Sequence, residues 1–314
     1  MSRVALIGAG LIGQAWAIVF ARGGREVALF DADASALPRA REQIAARLQD
    51  LVAYGLVDEP ERILARIRST GDLAEALEGA VHVQESIPER VEVKRAAYAE
   101  LDRLAAADAV LASSTSGITA SSFTDHLAGR ARCLVAHPIN PPYLIPLVEL
   151  CPAPWTDPAA VERTYDLMLA VGQSPIRIQR EVDGFIANRM QAALLASALK
   201  LVHEGYASAE DVDIAIRDGL GLRWSFMGPL ETIDLNAPGG IADYLRRYGP
   251  LYEQIERQQA SPLGPWDDAI IAKLEAERRE RLPLDDLGPR SAWRDRRLMG
   301  LVAHKRNAAS EIGE

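Results

Sequence analysis

The chain has 314 residues, a length typical of about two domains. Apolar residues make up 48% of it and charged residues 25%, a balance that excludes wholesale disorder. The formal net charge is −9, so we expect no nucleic-acid partner. Two cysteines, Cys133 and Cys151, exclude a disulfide framework and a cysteine zinc site, and they are typical of a cytoplasmic protein.

The N-terminal segment combines an uncharged run with a cluster of glycines. Residues 4–21 carry no charge, but Gly8, Gly10 and Gly13 interrupt the run at its centre. This interruption disfavours a signal peptide or a membrane-spanning helix, and we expect no membrane partner. We predict instead a βαβ unit with a strand over 3–8, a helix over 11–22 and a strand over 26–31.

The character of the chain changes near residue 183. Before it, apolar strand patterns over 81–85, 109–112, 132–136, 147–150 and 175–178 alternate with helical patterns over 40–56 and 92–104. After it, only helices are predicted, over 185–204, 209–216 and 239–259. We therefore predict an α/β protein with two domains. A Rossmann-type, doubly wound sheet occupies 1–183, and an all-α C-terminal domain occupies 184–314.

A glycine-rich motif joins the first predicted strand to the first predicted helix. It is Gly8-Ala9-Gly10-Leu11-Ile12-Gly13, a G-x-G-x-x-G pattern in the strand–turn–helix context of a dinucleotide site. The first glycine allows the tight turn, the second lets the backbone approach a pyrophosphate, and the third lets helix and strand pack closely. The helix start, at Leu11 and Ile12, offers free N–H groups to the phosphates.

An acidic residue follows at the end of the second predicted strand. Asp31 lies 18 residues after Gly13. A carboxylate there accepts hydrogen bonds from the adenosine ribose and repels a 2′-phosphate. The next residues, Ala32 and Asp33, bring no arginine to offset that repulsion. The sequence therefore predicts NAD rather than NADP as the cofactor.

One of the five histidines lies at the end of a predicted strand. A nicotinamide dehydrogenase that acts on an alcohol needs a base for the hydroxyl proton. His137 follows the strand over 132–136 and opens a proline-rich loop, at the sheet edge where such folds bind ligands. Glu149 interrupts the next apolar strand, where an unpaired carboxylate is costly. We predict that Glu149 orients His137 and stabilises its charged form; the alternative is a strand-edge glutamate in water.

An ordered set of motifs runs along residues 3 to about 240. Its segments are residues 8–13, 84–89, 113–116, 136–143, 145–149, 184–189, 219–223 and 227–231. In these segments the chain resembles the 3-hydroxyacyl-CoA dehydrogenase family. Within it, the chain is most similar to the lambda-crystallin branch, which includes L-gulonate 3-dehydrogenase.

The resemblance implies a role for several side chains. His137 is implied as the catalytic base, with Glu149 supporting it. Ser116 is implied to contact substrate and nicotinamide, and Asn188 to face the substrate oxygen. Family positions around the nicotinamide ribose and ring match three further residues, Glu89, Lys94 and Asn140. For Glu89 and Lys94 the alternative is a solvated pair on a helix. The resemblance also implies a homodimer formed through the helical domain.

The substrate is less sharply indicated. Family members that act on acyl-CoA hold the CoA arm partly with lysines after the second strand. Residues 33–60 contain no lysine here, although arginines remain at 39, 41 and 47. We therefore expect a small hydroxy acid, such as L-gulonate, while an acyl-CoA stays open.

Four residues are candidates for contact with the substrate. Arg223 is either a carboxylate anchor or a surface arginine. Tyr143 and Trp224, together with Phe226, line the pocket or belong to the core. An aromatic cage would favour a trimethylammonium substrate and an L-carnitine dehydrogenase. A non-enzymatic alternative is an NAD-binding structural protein like a lens crystallin.

Overall fold

The computed structural model describes residues 3–259 and 268–313. One eight-stranded sheet organises the first part of the chain, with the strand order β3-β2-β1-β4-β5-β6-β7-β8. The strands are β1 (Arg3–Ile7), β2 (Glu26–Phe30), β3 (Ile67–Thr70), β4 (Ala80–Glu85), β5 (Val110–Ser113), β6 (Cys133–Pro138), β7 (Leu147–Pro152) and β8 (Ser174–Arg177). Strands β1 to β6 are parallel to one another, whereas β7 runs antiparallel to β6.

Helices follow most strands and are the main elements of the chain after the sheet. They are α1 (Leu11–Arg22), α2 (Ala36–Ala53), α3 (Pro60–Ala65), α4 (Leu73–Leu77), α5 (Val91–Leu104), α6 (Ser121–Thr124), α7 (Pro158–Ala170), α8 (Ala187–His203), α9 (Ala209–Ile214), α10 (Gly221–Trp224), α11 (Pro229–Asp234), α12 (Gly240–Gln259), α13 (Asp268–Arg281) and α14 (Leu287–Ile312). A π-helical segment, Ala215–Leu220, joins α9 to α10. Among the described residues, no helix is both long enough and apolar enough to span a membrane.

Two apolar clusters pack against the sheet. In the first, α1 is buried from Gly13 to Ala21, which explains why its sequence has so little polar surface. The rings of Trp16 and Phe20 stack there with centroids 5.3 Å apart. In the second cluster, the ring of Tyr98 in α5 packs on that of Phe123 with centroids 4.7 Å apart. Full burial of one such apolar side chain stabilises the fold by about 1.5–3 kcal/mol.

The chain divides into two compact units. The first comprises Met1–Arg189 together with Arg294–Glu314, and the second comprises Met190–Trp293. All eight strands lie in the first unit, and the described part of the second contains helices and turns only. From Arg294 onward, α14 belongs to the first unit, where Met299 enters the first apolar cluster. The limits 1–183 and 184–314 remain a prediction about the domains.

The predicted α/β class, with a mostly parallel sheet and a helical C-terminal region, is confirmed. The order of the first six strands is that of a doubly wound dinucleotide-binding sheet. Two features of the sheet were not predicted, namely strand β3 and the antiparallel direction of β7. Only residues 139–146 separate β6 from β7, too few for the crossover helix that a parallel connection requires. The chain therefore turns back, and His137 and Glu149 face each other in the register of these two strands.

Candidate active site

The glycine-rich turn between β1 and α1 requires glycine at two positions. Gly8 has a φ of +103°, and a Cβ there would lie 2.7 Å from the Ser86 carbonyl oxygen. A Cβ on Gly13 would lie 1.8 Å from the carbonyl oxygen of Gly8. A Cβ on Gly10 would meet no atom of the described residues within 4 Å, so open space adjoins the turn at this residue. The turn is thus closely packed on the protein side and open where a ligand approaches.

The donors at this turn fit the phosphates of NAD. Helix α1 begins at Leu11 with no side-chain cap and no acidic residue in its first turn. The N–H groups of Leu11 and Ile12 therefore lie at the positive end of the helix dipole, available to an anion. Asp31 lies beside the turn, because its Oδ2 accepts the Ala9 N–H at 2.7 Å. These residues would hold the pyrophosphate and the adenosine ribose.

We expect Gly10→Ala and Gly13→Ala to weaken NAD binding for different physical reasons. At Gly10 the new methyl group fills the open space, so the Kd for NAD should rise about tenfold or more with little change in Tm. At Gly13 it meets a backbone oxygen, so both NAD affinity and Tm should fall. Fluorescence titration and thermal unfolding measure these effects.

The matched control is Gly249→Ala in α12, where a Cβ likewise lies more than 4 Å from every described neighbour that it could clash with. It should leave the Kd for NAD unchanged. Wild-type affinity in Gly10→Ala would contradict the proposed approach of the pyrophosphate.

His137 and Glu149, the predicted catalytic pair, contact each other across the adjacent strands β6 and β7. The Nδ1 atom of His137 lies 2.8 Å from Oε2 of Glu149, and both side chains are buried, at 4% and 0% exposed. The other carboxylate oxygen, Oε1, accepts the N–H groups of Ile186 at 2.8 Å and Ala187 at 2.9 Å. Among the described residues, no group hydrogen-bonds Nε2 of His137. The carboxylate is therefore fully engaged, and one imidazole nitrogen is left for chemistry.

The charge state of Glu149 determines the tautomer of His137. Burial opposes ionisation of this carboxyl, but the hydrogen bonds from His137, Ala187 and Ile186 outweigh it and lower its pKa. An ionised carboxylate only accepts hydrogen bonds, so Nδ1 of His137 must carry the imidazole proton and donate a hydrogen bond to Glu149. Nε2 is then the basic nitrogen. This arrangement suits a general base.

The Ser116 turn follows β5 and is held by Glu89. Oε1 of Glu89 accepts the Thr115 hydroxyl, the Ser116 N–H at 2.9 Å and the Gly117 N–H at 3.3 Å. Burial raises the pKa of Glu89, but the Thr115 hydrogen bond and the Lys94 ammonium outweigh it, so the pKa is lowered overall. Glu89 therefore supports the turn that carries Ser116. The Ser116 side chain itself is exposed.

Lys94 lies beneath that turn and is 1% exposed. Its Nζ donates to both oxygens of Glu85, at 2.8 and 3.0 Å, and lies 3.6 Å from Oε2 of Glu89. The Ser113 hydroxyl completes the group by donating to Glu85 at 2.6 Å. The alternative of a solvated Glu89–Lys94 pair does not describe Lys94, which lies in a buried ion pair. Through Glu89, this pair underlies the Ser116 turn.

The remaining predicted residues of the first unit occupy different surroundings. Asn188 Nδ2 donates to the Ser116 carbonyl oxygen at 2.7 Å, so these two predicted site residues are joined. Asn140 is exposed in the loop after His137. Tyr143 is only 5% exposed and packs in the first apolar cluster, where burial and, next, the Asp295 carboxylate raise its pKa. Its ring is thus engaged in the core.

The candidates in the second unit belong to a short helix after the π-helical segment. Arg223 and Trp224 are the last two residues of α10. The Arg223 side chain is exposed, whereas the Trp224 indole nitrogen is buried and finds no hydrogen-bond partner among the described residues. Phe226, two residues further on, is 68% exposed. These exposures fit a surface for a ligand or for another protein chain.

Sequence reasoning missed two contributors to the site. Glu85 is a carboxylate that ends an apolar strand, the same signal that pointed to Glu149, and it was available in the sequence. Phe185 packs on His137 with ring centroids 5.4 Å apart. Its contact depends on a backbone conformation that the sequence does not reveal.

Comparisons with known proteins agree with this geometry. The profile of the NAD binding domain of 3-hydroxyacyl-CoA dehydrogenase matches residues 3–182, and that of its C-terminal domain matches residues 184–263. A lambda-crystallin homolog from Bos taurus is 44% identical over 307 residues, covering 96% of this chain and 95% of the relative. An L-carnitine dehydrogenase from Streptomyces griseus is 38% identical over 313 residues, covering 99% of this chain and 88% of the relative.

Solved structures give the same fold. The crystal structure of 5-formyl-3-hydroxy-2-methylpyridine 4-carboxylic acid 5-dehydrogenase, an NAD+-dependent dismutase, has a TM-score of 0.82 at 28% identity and covers 98% of both chains. That of 3-hydroxybutyryl-CoA dehydrogenase from Escherichia coli has a TM-score of 0.66 at 34% identity and covers 75% of this chain and 49% of the other. The chain belongs to the 3-hydroxyacyl-CoA dehydrogenase family of NAD-dependent oxidoreductases, and within it to the lambda-crystallin branch.

Proposed function

We propose that the protein oxidises the 3-hydroxyl group of a small hydroxy acid with NAD+, L-gulonate being the first candidate. The observation that carries this proposal is the buried His137–Glu149 pair, with Nδ1 and Oε2 only 2.8 Å apart. Nδ1 of this histidine is held by a carboxylate, and Nε2 has no hydrogen-bond partner among the described residues, an arrangement that suits removal of a hydroxyl proton.

The proposed mechanism assigns each polar group one task. Nε2 of His137 takes the hydroxyl proton, and Glu149 stabilises the imidazolium that results. NAD+, when bound, supplies the hydride acceptor at C4 of its nicotinamide ring. Ser116 and Asn188 orient the substrate oxygen, and the hydrogen bond of Asn188 to the Ser116 carbonyl oxygen supports their acting together. Lys94 and Glu85 act only through Glu89 and the Ser116 turn.

The scarcity of available basic side chains after β2 favours a small acid over an acyl-CoA as the substrate. Residues 33–60 contain no lysine. Two of the three arginines in α2 have partners within the protein, since Arg41 donates to the Ile67 carbonyl oxygen at 2.9 Å and Arg47 to Gln14 Oε1 at 2.6 Å. Arg39 remains exposed. Because these contacts orient the guanidinium groups toward the protein, a polyphosphate arm finds little positive charge on this helix.

L-Carnitine is the second candidate substrate. It is favoured by the similarity to the L-carnitine dehydrogenase from Streptomyces griseus, which is 38% identical over 99% of this chain. Arg223 then serves as the carboxylate anchor, and Trp224 as part of the surface for the trimethylammonium group. A third possibility is a protein that binds NAD without turnover, as the similarity to lambda-crystallins permits.

We propose that the protein acts as a homodimer in the cytoplasm. The second unit exposes large apolar side chains, among them Leu222 at 65%, Phe226 at 68%, Leu230 at 68% and Leu235 at 67%. Exposed apolar surface of this kind is typical of contact with another chain. The two cysteines are free and buried, which fits a reducing compartment. A monomeric mass in solution would refute the dimer.

The decisive test compares substrates under one condition. NADH formation is followed with L-gulonate, L-carnitine, 3-hydroxybutyrate and 3-hydroxybutyryl-CoA, each with NAD+. We expect kcat/KM to be highest for L-gulonate, by about tenfold or more, which is about 1.4 kcal/mol of differential transition-state binding. Preference for L-carnitine selects the second candidate. Preference for the CoA ester contradicts the small-acid proposal, and NAD binding without any turnover identifies a structural protein.

A further inference from the structure

Directly before α8, the backbone makes a left-handed turn that contacts His137 and Glu149. Gly184 has a φ of +73°, and Phe185 has a φ of +52°. Glycine adopts this conformation at little cost, whereas a bulky residue such as phenylalanine rarely does. Among the described residues, Phe185 is the only one other than glycine with a positive φ. Such strain persists only where the surroundings enforce it, and it concentrates at functional sites.

Residues of the turn contact both His137 and Glu149. The Phe185 side chain is fully buried, and its ring is tilted by 44° against the His137 imidazole at a centroid distance of 5.4 Å. The next two N–H groups, of Ile186 and Ala187, both donate to the same oxygen of Glu149. The N–H of Phe185 itself donates to the Val182 carbonyl oxygen at 3.1 Å and closes the turn. One residue thus contacts the histidine and directs the donors that hold the glutamate.

We propose that Phe185 is a positioning residue for the His137–Glu149 pair. Its ring limits the rotation of the His137 imidazole, and its left-handed backbone directs two N–H groups to Glu149. With Oε1 held by those donors, Oε2 is left as the acceptor of the hydrogen bond that Nδ1 of His137 donates. The kinetic part of this inference rests on the proposed function, whereas the hydrogen-bond geometry does not.

The test compares two substitutions of equal size in the same apolar cluster. Phe185→Leu removes the ring beside His137, and Phe123→Leu removes a fully buried ring that packs on Tyr98 instead. Both variants should lose similar stability, measured as Tm. Only Phe185→Leu should lower kcat, by about tenfold or more, because small displacements of a catalytic group have large kinetic effects. In Phe185→Leu, the Kd for NAD and the KM for substrate should change by less than about twofold. The reason is that the Phe185 ring contacts His137 rather than the dinucleotide turn.

A spectroscopic measurement separates this inference from the proposed function. An imidazole N–H bonded to a carboxylate gives a far-downfield proton NMR signal, assigned here by its absence from His137→Gln. The signal should persist in wild type and Phe123→Leu and should broaden or vanish in Phe185→Leu. If wild type turns over no hydroxy acid, the proposed function fails, yet this signal still tests the positioning role.

Three results would overturn the inference. The first is a Phe185→Leu variant with wild-type kcat and an unchanged downfield signal. The second is an equal loss of kcat in Phe123→Leu, which would indicate a general effect of core packing. If Phe185→Leu fails to fold, Phe185→Met is used instead, because it retains a long apolar side chain without the ring. The third result is a Phe185→Met variant with wild-type kcat and an unchanged downfield signal.

Discussion

Replacing His137 by glutamine is expected to lower kcat about 10²-fold or more while leaving the Kd for NAD unchanged. The glutamine amide fits the space of the imidazole and still forms hydrogen bonds. It accepts no proton near neutral pH, so hydride transfer loses its base. His137 lies in β6, whereas the dinucleotide turn lies between β1 and α1, so binding of the cofactor should be unaffected. Steady-state kinetics and fluorescence titration with NAD measure the two quantities.

The matched control for this substitution is His126→Gln. The ring of His126 lies near the surface, where its Nδ1 is 3.3 Å from a carboxylate oxygen of its neighbour Asp125. This variant should retain kcat and the Kd for NAD. A kcat of His137→Gln within about threefold of wild type would exclude His137 as the base, because general-base effects are much larger. Loss of NAD binding in His137→Gln would instead indicate that the substitution disturbs the fold.

The fold was accessible from the sequence where local pattern and glycine chemistry agree. The glycine turn between β1 and α1 is an example, since Gly8 and Gly13 occupy positions that admit no Cβ. β3 was missed because Ile67–Thr70 has a single large apolar residue and lacks the pattern of a buried strand. The direction of β7 was also missed, although the short connection from β6 implies it.

The candidate site was only partly accessible for a different reason. A carboxylate in an apolar strand is visible in the sequence, and this signal pointed to Glu149 before any partner was known. The burial of Lys94 against Glu85 arises from packing of α5 on the sheet, which periodicity alone does not reveal. The left-handed Phe185 is least accessible, because its conformation contradicts the preference of its own residue type.

Replacing Glu149 by glutamine should be as damaging as loss of the base, although it changes a single atom type. The side-chain oxygen of the introduced glutamine must accept the N–H groups of Ile186 and Ala187, which both point at this position. Its NH2 group then faces Nδ1 of His137 and donates to it. The imidazole proton is driven to Nε2, the nitrogen that must accept the substrate proton. We expect kcat to fall by about 10²–10⁴-fold, as for wrong-tautomer variants of other histidine–carboxylate pairs.

A second readout distinguishes this electrostatic effect from simple loss of packing. The pKa of Glu149 is lowered from its ordinary value of 4.5, so the ionised carboxylate stabilises the fold fully above that pH. This contribution is lost as the pH falls through the lowered pKa. The Tm difference between wild type and Glu149→Gln should therefore be largest near neutral pH and shrink below about pH 4.5. A difference independent of pH, or a kcat close to that of wild type, would show that Glu149 acts without its charge.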